Sequence, residues 1–285
     1  MSEENTHWDI EIKPKTSMMA IDLADLWRYR DLLWLFVRRD FVAQYKQTIL
    51  GPVWHVVQPI FTTIIFVIVF GNIAKIPIPT GVAPVAFYLS GITLWSYFSS
   101  CLVNTSNTFV SNANIFGKVY FPRLILPLSI VISTVIRFLI QFSLLIAVMI
   151  WYYFHGYQIK VGFNLLYIPF IVFIMAGIGL GLGIIISSLT TKYRDLSVLV
   201  SFAVQLGMYI TPIAYPIAYL SHSKYKWLID INPLSSVVEL FRYVLLGAGT
   251  FSVSSISYSV VFMIVVLVVG VLLFNKVEKS FMDTV

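Results

Sequence analysis

The chain has 285 residues, of which 59% are hydrophobic, 16% aromatic and only 11% charged, against about 45–50% apolar and about 25% charged in soluble domains. Its 19 Lys+Arg and 13 Asp+Glu residues are too few to coat a water-soluble surface, which excludes soluble enzymes, disordered tails and disulfide scaffolds. The lone Cys101 cannot close an intrachain disulfide.

Residues 1–21 form a polar N-terminal extension in which Trp8, Ile10 and Ile12 alternate ahead of Pro14. With eight acids and seven bases and no early apolar core, residues 1–46 are not a secretory signal, and the first span is expected to stay attached as an anchor. Residues 22–46 predict a cytoplasmic interfacial helix, or two short ones. Leu23, Leu26, Trp27, Leu33, Trp34, Val37 and Phe41 recur at spacings of three, four and seven, with Asp25, Arg28, Asp31, Arg38 and Asp40 between them. Such a helix suits the headgroup layer, or packs on another subunit.

The remainder, residues 47–285, reads as a six-span transmembrane domain, because crossing a ~30 Å hydrocarbon core takes ~20 apolar residues. Charge-free stretches place the spans near 53–73, 83–105, 125–152, 165–188, 196–214 and 252–274, with Arg137 the one charge inside them. The stretch 76–117 is long enough for two, but Asn104, Asn107, Asn112 and Asn114 make its second half too polar for lipid. With the N-terminus inside, thirteen Lys and Arg fall on the cytoplasmic side and five opposite, the bias of the positive-inside rule. Both termini are then cytoplasmic.

Between spans five and six, Pro212 and Pro216 interrupt the helix, and Asn232-Pro233 starts another that Gly247 closes. Leu234, Val237, Val238, Phe241, Val244 and Leu245 take one face of that helix, and Glu239 and Arg242 the other. Residues 215–247 are expected to form short re-entrant or interfacial helices on the outer side. The fold class is thus an all-α membrane protein.

Chemistry is sparse. No G-x-x-x-x-G-K-[ST] phosphate loop occurs, so the chain has no such cradle for nucleotide. His7, His55, His155 and His222 are scattered, and neither a metal site nor a catalytic residue is predicted. Arg137 either lines a wet cavity or is held by Gln141, one turn on, and by backbone carbonyls. Without a membrane acid to carry a coupled proton, the driving energy is expected from a partner. In AGIGLGLG, the pairs Gly177/Gly181 and Gly179/Gly183 have small-xxx-small spacing, a helix-packing signal. Trp54, Trp151, Tyr152, Tyr153 and Tyr167 read as interfacial anchors. The deeper Phe70, Tyr88, Trp95 and Phe98 either fill space between helices or stack on passing sugar rings as channel lining.

Five strings carry a resemblance: RYRDLLWLFVRRDFVAQYKQTILGPVWHVVQP, SNANIFGKVYFPRLILPLS (111–129), KYRDL (192–196), TPIAYP (211–216) and NPLSSVVELFRYVLLG (232–247). In that order and spacing, from about residue 25 to the C-terminus, the chain resembles the membrane subunits of ABC exporters for polysaccharides, the permeases for O-antigen, capsule and teichoic acid. The resemblance implies a homodimeric permease driven by two separate ATPase subunits that bind ATP and Mg, with no cofactor in this chain. It implies a lipid-linked polysaccharide cargo carried on undecaprenyl diphosphate, a bacterial cytoplasmic (inner) membrane location and no nucleic-acid partner.

It further implies a coupling segment at 106–123 docked on the ATPase through Asn112, Asn114, Phe116, Lys118 and Tyr120, with a smaller contact at Thr191 to Asp195. Residues 212–247 look like the outer gate, with Pro212, Pro216, Glu239 and Arg242. Arg38, Arg39 and Lys46 lie where a diphosphate headgroup would arrive, or snorkel to ordinary phospholipid. A permease for another lipid or a drug would share this topology, and a membrane scaffold of a biosynthetic complex would share the partners.

Overall fold

A computed structural model describes residues 23–46, 51–116, 121–157, 163–190, 193, 195–220 and 223–281, and every regular element among them is helical. The polar extension 1–21 lies outside the described residues, as do Lys118 and Tyr120.

Of the two readings for residues 22–46, one helix or two, the structure has two: α1, Leu23–Arg28, and α2, Arg30–Tyr45, broken at Tyr29. Their apolar residues do not share one face. Phe36 and Val37 are buried against the bundle, whereas Trp27, Trp34 and Leu35 point out and are 60–70% exposed. The helix α2 packs on the chain's own α7 (Ile125–Phe154).

The helix α3, Trp54–Phe66, continues as a π-helical stretch, so that Gly51–Ile73 forms one apolar rod. The turn beyond it closes at Lys75, whose φ is 52°. Pro84 then opens α4, Pro84–Ser106, from the first helical position, where its missing N–H has no cost. This helix is the axis of the fold, packed by α3, α7, α8, α9 and α11. Three of its serines bond back to their own helix, Ser90 Oγ to Phe87 O at 2.8 Å, Ser99 Oγ to Ser96 O at 3.1 Å and Ser106 Oγ to Val103 O at 2.7 Å, whereas the Oγ1 atoms of Thr93 and Thr105 are buried without a partner. Two one-turn helices follow, α5 (Thr108–Ser111) and α6 (Ala113–Phe116).

The glycine run lies in α8, Tyr167–Thr190, which is sandwiched between α4 and the last long helix. Its small-xxx-small pairs divide between the two neighbours. A Cβ on Gly179 would stand 2.8 Å from Cys101 Cβ, and one on Gly183 2.6 Å from Thr105 Cβ, both on α4. One on Gly181 would stand 2.9 Å from Leu267 N on the opposite side.

The expected span at 196–214 is shorter than predicted. The helix α9, Leu196–Ile210, has 15 residues, about 22 Å at 1.5 Å per residue. It stops because Thr211, which precedes a proline, is extended at ψ 140°. Among the described residues five helical stretches are therefore long and apolar enough to cross a membrane: Gly51–Ile73, Pro84–Ser106, Ile125–Phe154, Asn164–Thr190 and Val253–Lys276. Their limits fall within about two residues of those read from the charge gaps.

After α9 come α10, Lys226–Ile231, α11, Pro233–Leu246, and α12, Val253–Phe281. The start and stop of α11 follow its sequence signals: Asn232 Oδ1 accepts from Leu234 N at 3.0 Å, Pro233 takes the first turn, and Gly247 closes it at φ 64°.

A second, smaller core gathers at the end of the bundle where α2, α5, the start of α7 and the end of α12 meet. Phe36 tilts onto Phe121 at 5.7 Å, and Phe109 stacks on Phe274 at 4.6 Å.

Candidate functional site

The helix α11 departs most from its sequence pattern. Glu239 and Arg242, expected on a polar outer face, are 3% and 0% exposed. Burial is tolerated because both charged groups find partners, with only the Nε–H of Arg242 left unbonded. Arg242 Nη1 lies 3.6 Å from Glu239 Oε1 and donates to Pro212 O, while Nη2 donates to Ile213 O at 2.7 Å. The guanidinium also lies over the Phe87 ring, 3.7 Å from its centroid. Glu239 receives the backbone N–H of Ile217 at 3.4 Å and of Thr250 at 3.2 Å.

The carbonyls that Arg242 takes lie in the irregular turn beyond the end of α9, where no helical N–H reaches them, while the last carbonyls of α9 itself, those of Tyr209 and Ile210, accept from Tyr215 OH. The pair thus ties together α11, the 211–217 turn and the loop before α12. Gly91 makes room for it: a Cβ there would stand 2.9 Å from Arg242 Nη2. Desolvation lowers the Arg242 pKa to about 10 while Glu239 raises it, so the guanidinium stays charged at neutral pH. Pro216 caps the same turn, its carbonyl accepting from Tyr219 N at 3.0 Å.

The aromatic candidates separate by depth. Tyr88 is fully enclosed, edge-on to Phe66 and Phe87, and its hydroxyl has no partner. Phe70 packs edge-on to Phe66 at 5.0 Å. Trp95 and Phe98, 5.3 Å apart, instead form one wall of an almost wholly apolar cavity of about 530 Å³ between α4 and α9. Across it Gly207 approaches the Trp95 ring so closely that a Cβ would stand 3.1 Å away.

Arg137 is half-buried in α7. Its polar partner is Thr134 Oγ1, one turn back at 3.3 Å, not the expected Gln141, and its Nε is unpartnered. Burial raises the pKa of Tyr45, at the end of α2, and the charge of nearby Arg137 opposes that rise.

The cations of α2 also divide. Arg38 and Lys46 are exposed. Arg39 chelates Asp40 through Nε and Nη2 at 2.9 and 2.8 Å, reaches Asn112 Oδ1 at 3.4 Å and lies over Phe36. Asn112 is itself buried and donates to Thr108 O at 3.0 Å, so it faces the bundle, while Asn114 and Val110 point out. Phe116 ends α6, with its side chain outside the described residues. Of the second expected contact, Tyr193 and Asp195 are exposed, and Thr191, Lys192 and Arg194 lie outside the described residues. Among the described residues no cluster of three metal-ligating side chains occurs.

Three features escaped the sequence pattern: the buried ion pair, the Arg39–Asn112 link and the cavity beneath α9. The first had a signal, since Pro212 and Pro216 announce a non-helical turn whose carbonyls need donors, and a cation thirty residues on from Pro212 can meet them. The others depend on how helices are placed side by side.

Residues 31–246 match the family model described as ABC-2 type transporter. Two proteins named O-antigen export system permease protein RfbA from Klebsiella pneumoniae are 29% and 30% identical, each over 89% of this chain and 94% of the relative. The Polysialic acid transport protein KpsM of Escherichia coli is 22% identical over 86% of this chain and 93% of its own. The family match runs through α2, the four long helices up to α8, α9 and the whole of α11 with its buried pair; the chain is a member of the ABC-2 type transporter family.

Proposed function

We propose that this chain is the membrane subunit of an ATP-driven exporter that moves lipid-linked polysaccharide outward across a bacterial cytoplasmic membrane. The observation that carries the reading is the near full-length similarity to O-antigen export permeases. Two copies form the path, and two ATPase subunits bind ATP and Mg at the inner face. Helix α9, with the turn after it, makes the sixth crossing, and α10 and α11 form a re-entrant outer gate. Both termini lie inside.

The second core suggests how force passes. The segment from α5 to Tyr120 docks on the ATPase, and Phe109 stacked on Phe274 transmits its displacement to α12 and so to α11. Rigid elements that repack between two arrangements are the usual means of such a switch. Arg38, one turn after the outward Trp34, and Lys46, at the end of α2, are exposed and meet the diphosphate headgroup.

Reconstitution with the ATPase in vesicles tests the reading. ATP-dependent movement of a polyprenyl diphosphate-linked glycan is expected; movement under an ion gradient without the ATPase, or transport of a drug or phospholipid alone, overturns it. Within that system Phe116→Asp is expected to abolish co-purification of the ATPase while the permease keeps its melting temperature, and intact assembly would refute the docking role.

Trp95→Ala, at the cavity wall, is expected to slow export more than it lowers thermal stability. Tyr88→Ala, in the closed core, should instead lose stability, by about 3–5 kcal/mol in the range of large aromatic truncations. Equal stability losses for the two would make Trp95 a packing residue.

A further inference from the structure

A second cavity, of about 380 Å³, lies between α10, α11, the loop before α12 and the start of α12. It differs in kind from the apolar cavity under α9, being walled by Asp230, Ser235, Ser236, Glu239, Ser255 and Tyr258. Several of these groups are already bonded: Ser236 Oγ meets Ser259 Oγ at 2.6 Å, Tyr258 OH donates to Ile231 O at 2.8 Å, and both Glu239 oxygens are held as described above. Ser235, Asp230 and the exposed Ser255 are not spent on the protein interior. Ser235 is only 3% exposed, yet its Oγ has no partner. Asp230 is exposed at the rim.

A buried hydroxyl without a partner is costly, about 1–3 kcal/mol, and a ligand that bonds to it recovers that loss. The cavity falls in the ~300–1,000 Å³ range of small-molecule sites. Its chemistry selects the ligand class. A serine hydroxyl both donates and accepts, and a carboxylate only accepts, so together they suit a molecule rich in hydroxyl donors. Arg242 neutralises Glu239, and Asp230 is the remaining charge in the cavity wall; Lys226, one turn earlier on α10, is exposed outside the wall, so an anion inside the cavity meets the carboxylate and is repelled. That charge opposes uronic acids and the phosphate of a phospholipid alike.

We propose that this cavity is a subsite for a neutral sugar residue, with Ser235 Oγ and the Asp230 carboxylate engaging its hydroxyls. The assignment rests on the export reading above, which would put the cavity beside the outer gate, where an emerging glycan could be held against slipping back. Contact with the Glu239 side of the gate would let sugar occupancy bias the position of α11.

The test uses the full chain in phosphatidylcholine nanodiscs and saturation-transfer NMR, with free glucose, galactose, mannose and N-acetylglucosamine as probes and glucuronate as the charged counterpart. At least one neutral sugar is expected to show transfer, weakened about fivefold by Ser235→Ala and by Asp230→Ala, the size of one lost hydrogen bond. Glucuronate should bind less well than glucose, and Asp230→Asn should narrow that gap, which a merely structural role for Asp230 would not do. No transfer from any neutral sugar, or transfer that survives both alanine substitutions, overturns the subsite. Vesicle export by the wild-type chain is measured in parallel. Export without a sugar signal removes the subsite and leaves the exporter standing, whereas a site-dependent sugar signal without export removes the exporter and keeps a sugar site.

Discussion

Arg242→Met is expected to lower the stability of the permease by about 3–5 kcal/mol, the cost of stranding one partner of a buried ion pair. Three losses coincide. Glu239 keeps its charge at 3% exposure, the carbonyls of Pro212 and Ile213 lose their only donor in this cluster, and the contact with Phe87 loses its cationic component. Because the same side chain joins α11 to the 211–217 turn, the effect should be local before it is global. Limited proteolysis should cut between residues 211 and 225 first, and vesicles bearing the variant should leak small solutes.

The double variant Glu239→Gln, Arg242→Met separates the charge from the carbonyls. The amide still accepts from Thr250 N, no unpaired charge remains, and the double should be more stable than Arg242→Met alone. Strict additivity of the two substitutions in thermal unfolding would mean that the pair is not coupled.

The legible part of this molecule was what depends on neighbours in the chain. Lys75, Lys118, Lys160 and the Lys192 to Asp195 run interrupt the apolar stretches, and Pro84 and the asparagines from Asn104 to Asn114 trim the longest of them, so the limits of the long helices follow from local sequence. The Asn232, Pro233 and Gly247 punctuation of α11 works within single turns for the same reason. Side-chain direction was less legible. Trp34 and Val37 fall three apart in the apolar series of α2, but only Val37 turns inward, because the choice is made by α7, almost a hundred residues away. Glu239 and Arg242 read as surface residues because a wheel drawn on one helix counts charge as polar, whereas other segments satisfy both, with carbonyls for Arg242 and backbone N–H groups for Glu239. The early end of α9 had its signal in Thr211-Pro212; counting the residues free of charge passed over it.

The AGIGLGLG run carries the second large effect. Gly181→Val is expected to separate α8 from α12 and cost several kcal/mol, as overpacking does where backbone, not a flexible side-chain tip, is the obstacle. The obstacle here is backbone: a Cβ on Gly181 would stand 2.9 Å from Leu267 N and from Val266 C. The contact is reciprocal, since a Cβ on Gly270 would stand 2.9 Å from Gly181 O, so neither helix can yield without the other moving.

Gly177→Ala should be milder, because it meets the thioether side chain of Met263, and methionine repacks readily. In a bilayer these helices gain nothing by hiding apolar surface from water, since lipid tails already do that, and close packing is what holds them together. Thermal unfolding in one detergent should therefore rank Gly181→Val well below Gly177→Ala, and equal melting temperatures would show that the α8–α12 approach contributes little. If α12 also carries displacement from Phe274 to α11, Gly181→Val should uncouple ATP hydrolysis from export at temperatures where the chain is still folded.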